Sequence, residues 1–420
     1  MHILFLTHYF VPEVNAPATR TFEHARRWVE QGHQVTVVTC APNCPTGVVF
    51  SGYQNAWRTE ETLDGIRVIR VWSYLTANKG FFKRTLNFLS YMLTAVWCAI
   101  RLKNVELVVA TSPQFFCGWA GVLCHAIRRW PFVLEIRDIW PESIVTVGAM
   151  QRSRLMTVLE WLERRMYAAA DHIVTVGDGY KDQLLERNVP EKKISVIPNG
   201  VDLSRVQPQP PDVDLRRRWQ GENKFVCAYV GTVGMAHGLD VVIDAAEKLR
   251  QVGRDDVQFW IVGDGAERCR LEQAAKDRQL NSITFTGLVS KDRIDEVTAS
   301  CDACLVHLRG TELFGTVIPS KVFETMALNI PIIMGVRGQA QEIVLNGQGG
   351  VAMTPDDADS LLACIDRIRQ ERQQFVHGRA YVSRHYDRTV LADRMLDVLR
   401  QFGDQQASPA LETPALRRAA

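Results

Sequence analysis

The sequence has no apolar run long enough to span a bilayer, no repeated cysteine spacing and no large excess of either charge. Neither half carries Gly-x-Gly-x-x-Gly after its first strand-like segment, which argues against a dinucleotide-dependent dehydrogenase. A formal net charge of +2, with no Lys/Arg run interleaved with aromatics, argues against a nucleic-acid partner. Ten scattered cysteines fit a reducing cytosol better than a disulfide framework. Cys301-x-x-Cys304 is a close pair, but Cys304 opens the apolar run 304–308, so both read as core residues and no metal site is expected. The first apolar segment, 3–6, is too short for a signal sequence and follows no cationic leader, so a cytoplasmic protein is expected. Residues 86–100 are mostly apolar and flanked by Lys83, Arg84, Arg101 and Lys103. They are too few to span, and two readings stay open: a buried amphipathic helix, or a helix lying in the interface of an anionic membrane.

What is present is a repeated alternation of short apolar runs and helical patterns. At 420 residues the chain exceeds the usual size of one hydrophobic core, and 46% apolar residues suffice for two. Strands are expected at 3–6, 35–39, 66–71, 107–110, 132–136, 173–176 and 194–197, with helices at 19–31, 81–102, 115–129, 152–169 and 179–187. A Pro-rich stretch, 206–212, reads as a stiff linker within 204–214. A second series of strands follows at 225–230, 257–262, 283–286, 304–308, 330–334 and 350–353. This pattern specifies an α/β protein of two doubly wound, Rossmann-like domains facing each other across a cleft, residues 1–203 and 215–378. Helices within 379–402 either pack on one domain or cross back to the first, and 403–420 reads as a disordered tail.

In such sheets ligands bind at the carboxyl ends of the strands. Three glycine-bearing loops fall there in the second half: Gly231-Thr232 through His237-Gly238, Gly263-Asp264-Gly265, and Gly287-Leu288-Val289. Each alone is explained by a tight turn; together they outline a nucleotide pocket. Pro319-Ser320-Lys321 then starts a short helix whose forward-pointing amides can hold an anion, with Lys321 adding a charge and Glu324 on the same face. The plain reading is a capped helix with a Lys–Glu surface pair. In the first half, Glu135, Arg137 and Asp138 cluster at a strand end, as a structural ion pair or a cleft-facing group. The small-residue loop 12–20, with Asn15, Ala16 and Arg20, lies at the same sheet edge.

These residues resemble those of the family 4 glycosyltransferases of GT-B fold over nearly the whole chain. The resemblance rests on Gly32-His33 before the second strand, the turn Ile197-Pro198-Asn199-Gly200-Val201-Asp202, Tyr229-Val230-Gly231, Val262-Gly263-Asp264-Gly265, and Phe323-Glu324-x-Met326-Ala327 followed by Pro331. Pro12-Glu13, Asp138-Ile139-Trp140-Pro141-Glu142-Ser143 and Pro319-Ser320-Lys321 are similar to the branch of amino-fucose transferases and exopolysaccharide enzymes. The resemblance implies retaining, metal-independent transfer of a sugar, with deoxy and N-acetylamino sugars as candidates, from a nucleoside diphosphate donor. The implied acceptor is a polyprenyl-diphosphate-linked saccharide of bacterial surface polysaccharide synthesis, met at the inner face of the cytoplasmic membrane, and no cofactor is implied beyond the nucleotide sugar. It assigns donor contacts to Gly231, Thr232, His237, Gly238, Gly263, Gly265, Leu288, Val289, Pro319, Ser320, Lys321 and Glu324. Acceptor contacts fall to Asn15, Ala16, Arg20, Arg137 and Asp138, and catalytic roles to Lys321, Glu324 and Asp138. The family's first glutamate falls on Thr316, its phosphate-gripping Arg and Lys on Thr232 and His237, and its His-Asp pair on Arg137-Asp138. His237, Lys321 and Arg309 are the residues that could substitute. A non-catalytic nucleotide-sugar-binding subunit and a sugar-nucleotide epimerase of the same fold are the alternatives.

Overall fold

The computed structural model describes residues 1–76, 81–112, 115–139 and 154–403. Residues 140–143 of the Asp138 motif, the start of the helix expected from 152, and the tail 404–420 lie outside them. The chain divides into two compact units, Met1–Pro198 with the segment from Leu391 onward, and Asn199–Val390.

The first unit runs β1 (His2–Leu6), α1 (Ala16–Glu30), β2 (Gln34–Cys40), β3 (Arg58–Leu63), β4 (Ile66–Val71), α2 (Phe81–Ala99), β5 (Leu107–Thr111), α3 (Phe115–Arg128), β6 (Phe132–Ile136), α4 (Arg154–Ala169), β7 (His172–Thr175), α5 (Asp178–Glu186) and β8 (Ile194–Val196). Its sheet order is β3-β4-β2-β1-β5-β6-β7-β8. All pairs are parallel except β3–β4. The inner strands β1, β5 and β6 are buried along their whole length, as parallel strands covered on both faces must be. The sequence pattern did not reveal β3. Its residues Arg-Thr-Glu-Glu-Thr-Leu alternate exposed and half-buried on an antiparallel edge, so no apolar run marks it.

The second unit runs α6 (Val213–Arg218), β9 (Phe225–Val230), α7 (Asp240–Gln251), β10 (Val257–Val262), α8 (Arg268–Asp277), β11 (Ile283–Gly287), α9 (Ile294–Ala299), β12 (Ala303–His307), α10 (Lys321–Ala327), β13 (Ile332–Gly335), α11 (Gln339–Asn346), β14 (Gly350–Ala352), α12 (Ala358–Glu371) and α13 (Gly378–His385). Its all-parallel order β11-β10-β9-β12-β13-β14 reverses direction between β9 and β12, the switch point at which doubly wound sheets open a crevice. Here β12 pairs with β9 only at Cys227 and Ala228, so Tyr229 and Val230 run on without that neighbour.

The division between units departs from the boundaries expected from composition. Residues 204–214 are not a free linker: Val206 is buried in the second core, Arg379 donates to the carbonyls of Val206 and Leu203, and Asp212 caps α6 through the amides of Asp214 and Leu215. Helix α13 also belongs to the second unit, where Gly378 lies against Met326 and the Tyr386 ring packs at a tilt against Phe323 with ring centroids 4.7 Å apart. The last helix, α14 (Arg388–Gly403), returns to the first unit. Its Leu391, Met395 and Leu399 join the core around Trp28, whose indole N–H donates to Ala392 O at 2.9 Å. Gly403, the first residue of the expected tail, instead ends this helix and is buried against Met1.

Candidate functional site

In the second unit the three glycine loops are sewn together by backbone bonds. Gly231 N donates to Val262 O at 2.9 Å, Gly263 N to Gly287 O at 3.0 Å, and Val233 N to Asp264 O at 3.0 Å. This stitching requires glycine at position 263, where φ is +136° and a Cβ would land on the Gly231 carbonyl.

Lys321 reaches this edge from the start of α10. Its ammonium sits over the Tyr229 ring, 4.1 Å from the centroid, and 2.7 Å from where a Gly231 Cβ would stand. The Tyr229 hydroxyl is held by donation to Thr232 O at 2.7 Å. Among the described residues no carboxylate pairs with Lys321, and Glu324, its expected partner on the helix face, forms no ion pair with it. Burial pushes the Lys321 amine down to about 8, and Cys304 and Glu324 act against it more weakly. Glu324 is half-buried, and burial raises its carboxyl against the pull of Arg388 and Arg205. A desolvated cation backed by an aromatic face, with no counter-ion among the described residues, is a site prepared for an anion.

His237 lies beside this cation, its ring 5.8 Å from that of Tyr229. Its Nδ1 is buried without a hydrogen-bond partner, and burial together with the Lys321 charge lowers its pKa, so the ring is held neutral. His307, at the end of β12, holds the loop from below. Its Nδ1 donates to His237 O at 2.7 Å and its Nε2 accepts from the Asp356 amide at 2.9 Å, which fixes the tautomer. Gly335 leaves room for that ring, because a Cβ there would meet His307 Cδ2. We expect His307→Leu to cost about 2–4 kcal/mol of stability, since the His237 carbonyl and Asp356 amide lose their partners. Urea unfolding checks this, and an unchanged midpoint would remove His307 from the support of the loop.

Other donor-side residues are distributed unevenly. Gly238, at φ +54°, is packed against Asp356 and Arg309, and Gly265 against Val233. Val289 joins the apolar cluster that also holds Ile318, whereas Leu288 is 80% exposed. Ser320 makes no side-chain cap and takes helical dihedrals. The amides of Val322 and Phe323 are turned back to the carbonyls of Pro319 and Ser320, so the donors at this helix start are those of Ser320 and Lys321. Arg309 is engaged elsewhere: its Nε donates to Met235 O at 2.8 Å and its Nη2 lies 3.5 Å from Asp240. Tyr229, His307 and Asp356 were not among the expected site residues. The signals for the first two were a tyrosine and a histidine inside buried strands, each of which must find polar partners.

In the first unit two of the expected acceptor contacts are engaged within the fold. Arg20 is buried and spends its guanidinium on Glu135 Oε1 at 2.8 Å, Pro198 O at 2.6 Å and Ile197 O at 2.8 Å. Asn15 is the N-cap of α1, its Oδ1 accepting from Ala18 N at 3.0 Å. Ala16 is exposed at the same helix start. Burial would raise the Glu135 carboxyl, but the charges of Arg20, Arg137 and His24 outweigh it and hold it at about 2. Arg137 and Asp138 are half-buried just past β6, where Ser112 Oγ donates to Asp138 O at 3.3 Å. At the carboxyl ends of β1 and β2 a narrow crevice is lined by His8, Tyr9, Asn43, Arg84 and Asn87. His8 pairs with Asn87 Oδ1 at 2.8 Å and burial lowers it to about 4, so it is neutral.

Comparison with known proteins agrees with this architecture. Residues 15–200 match the model of the glycosyl transferase 4-like domain, and residues 224–371 that of the glycosyl transferases group 1. The chain is 26% identical over 414 residues to the putative colanic acid biosynthesis glycosyl transferase WcaI of Escherichia coli K12, covering 96% of this chain and 98% of that protein. It is 26% identical over 381 residues to a GDP-mannose-dependent alpha-mannosyltransferase of Mycobacterium tuberculosis, covering 89% and 90%. Among solved structures, HepE of Anabaena in complex with UDP superposes with a TM-score of 0.70 at 19% identity, covering 96% of this chain and 100% of that one.

Proposed function

This chain belongs to the family 4 glycosyltransferases of GT-B fold, and from that premise we propose that it transfers a sugar, with retention, from a nucleoside diphosphate donor to a lipid-linked saccharide in bacterial surface polysaccharide synthesis. The observation that carries the donor assignment is the Lys321 ammonium at the switch point of the second sheet, with which no carboxylate among the described residues pairs. When the bond from the anomeric carbon to the diphosphate breaks, its electron pair goes to the departing oxygen. A fixed cation there gains most as that charge develops, which is the differential binding that lowers a barrier. Lys321 and the amides of Ser320 and Lys321 take the diphosphate, and the backbone of Gly231 and Gly263 admits it closely. Glu324 takes a ribose hydroxyl. The family's loop cations are replaced in this chain by Thr232 and His237, and Lys321 supplies charge at the same end of β9, over the Tyr229 ring. Arg137 and Asp138 serve the acceptor side, while Arg20 and Asn15 support the sheet edge.

The likeness to a colanic acid enzyme and to a structure holding UDP supports the pathway class and the donor class. The acceptor is taken at the inner face of the cytoplasmic membrane, with the protein bound peripherally. With Lys321 as the counter-charge, no metal is required. A thermal-shift panel of UDP, GDP and dTDP in buffer containing EDTA tests the donor site. One of the three is expected to raise Tm by several degrees, roughly the shift for ligand at 100 times Kd. No shift with any of them would overturn the donor assignment. Binding without transfer to a membrane extract would instead favour a non-catalytic subunit.

A further inference from the structure

Helix α2 carries an apolar stripe that none of the described residues covers. Phe82 is 80% exposed, Leu86 41%, Leu93 58% and Trp97 42%. At 100° per residue these four fall within about 60° of arc and run about 22 Å along the helix. The opposite face is core: Tyr91, Ala95, Cys98 and Ala99 are buried. Trp57, itself 57% exposed, extends the stripe by packing edge-on against Trp97 at 5.5 Å. An exposed face of large apolar and indole side chains costs free energy in water and marks a surface meant to be covered.

The charges around it identify the cover. Residues 65–105 contain seven Lys or Arg and no Asp or Glu. Of these, Arg67 and Arg70 pair with Glu60 and Glu61. Lys83, Arg84, Arg101 and Lys103 are exposed and, among the described residues, meet no carboxylate. Lys83 and Arg101 lie along the same flank of the apolar stripe, and Arg101 folds over the Trp97 ring with its guanidinium 3.7 Å from the centroid. Indole rings beside snorkelling cations are suited to the boundary between lipid head groups and acyl chains. Among the described residues no helix is long and apolar enough to cross a membrane.

We propose that the outer face of α2, with Trp57, lies in the interface of an anionic lipid bilayer, the helix axis parallel to the membrane plane. This deepens the membrane-surface reading above by assigning its contact residues, and it depends on neither the donor site nor the identity of the acceptor.

Flotation with vesicles of phosphatidylcholine alone, and of phosphatidylcholine with about one third phosphatidylglycerol, tests it. The wild-type chain is expected to float with the anionic vesicles, less so at high salt, and to stay largely unbound with the neutral ones. The double substitution Lys83→Glu and Arg101→Glu should weaken partitioning at least roughly twenty-fivefold, about fivefold or more for each charge removed. Leu93→Glu with Trp97→Glu should weaken it at least as much. Circular dichroism and nucleotide binding on the same proteins establish that they are folded. The charge-reversal pair, made at exposed side chains, decides the matter if the apolar pair misfolds. Wild-type protein that ignores anionic vesicles, or folded charge-reversal protein that floats like wild type, overturns the proposal. So does self-association abolished by the same substitutions without any vesicle binding, which would give the face to a second copy. Transfer to a water-soluble acceptor analogue despite absent vesicle binding would leave the enzymatic reading standing while this one fell.

Discussion

Lys321→Ala is expected to lower turnover at least about tenfold while leaving the unfolding midpoint unchanged or slightly higher. The second half of that outcome distinguishes the site from an ordinary surface pair. A lysine that stabilised the fold by pairing with Glu324 would, when removed, cost stability. Here the ammonium is desolvated over Tyr229 with no counter-ion among the described residues, so its removal relieves a burial penalty. The same burial makes affinity depend on pH. The free amine titrates near 8, below its usual 10.5. Binding an anion favours the ammonium, so the value in the complex lies above 8. Affinity for a nucleoside diphosphate is therefore full below about 8 and is lost as pH rises from 8 toward the raised value. His237 is already neutral across this window, its pKa lowered by burial and by Lys321 itself. Lys321→Arg, charged throughout, should flatten the profile even if it binds less tightly. Calorimetric titration between about pH 7 and 9.5 reads both; a flat wild-type profile, or wild-type turnover in Lys321→Ala, would remove the lysine from the donor site.

The donor-side glycine loops were legible in the sequence because the property they need, a backbone that approaches its neighbour closely, belongs to the residue type. Gly231, Gly263 and Gly265 do meet at one sheet edge. The partner of Lys321 was not legible. Local spacing placed it with Glu324, three residues on, whereas its nearest support is Tyr229, which only the crossover between β9 and β12 brings beside it. The strands were legible wherever both faces are buried, and β3 was lost because its edge position permits a polar sequence. The same limit explains the misread linker. Proline-rich composition reports local stiffness, but Arg379 pins 203–206 to the second core from far along the chain. Arg20 is the sharpest case. A charged residue in a small-residue loop at a strand edge suggests a ligand contact, yet its partners lie 115 to 178 residues away.

Arg20→Leu is therefore expected to destabilise the protein by roughly 3–5 kcal/mol, because it strands the Glu135 carboxylate in the core and frees two carbonyls of the 197–198 turn. The magnitude is consistent with the fall of that carboxyl from its usual 4.5 to about 2, a displacement worth ~3 kcal/mol. A depressed carboxyl contributes its stability above the unfolded value and loses it as pH falls through the folded one. The wild-type chain should thus shed this contribution between about pH 4.5 and 2. In Arg20→Leu this loss shrinks. With the guanidinium gone, only the charges of Arg137 and His24 oppose burial and the Glu135 carboxyl rises from its wild-type value, so the stability gap to wild type should narrow as pH is lowered through that range. Urea midpoints measured across that range test both statements. Partial recovery in Arg20→Leu with Glu135→Leu, which removes the stranded charge, would assign the loss to the buried pair. A variant with the wild-type midpoint at neutral pH but weakened acceptor use would return Arg20 to the acceptor site and show that the bond to Glu135 is dispensable to the fold.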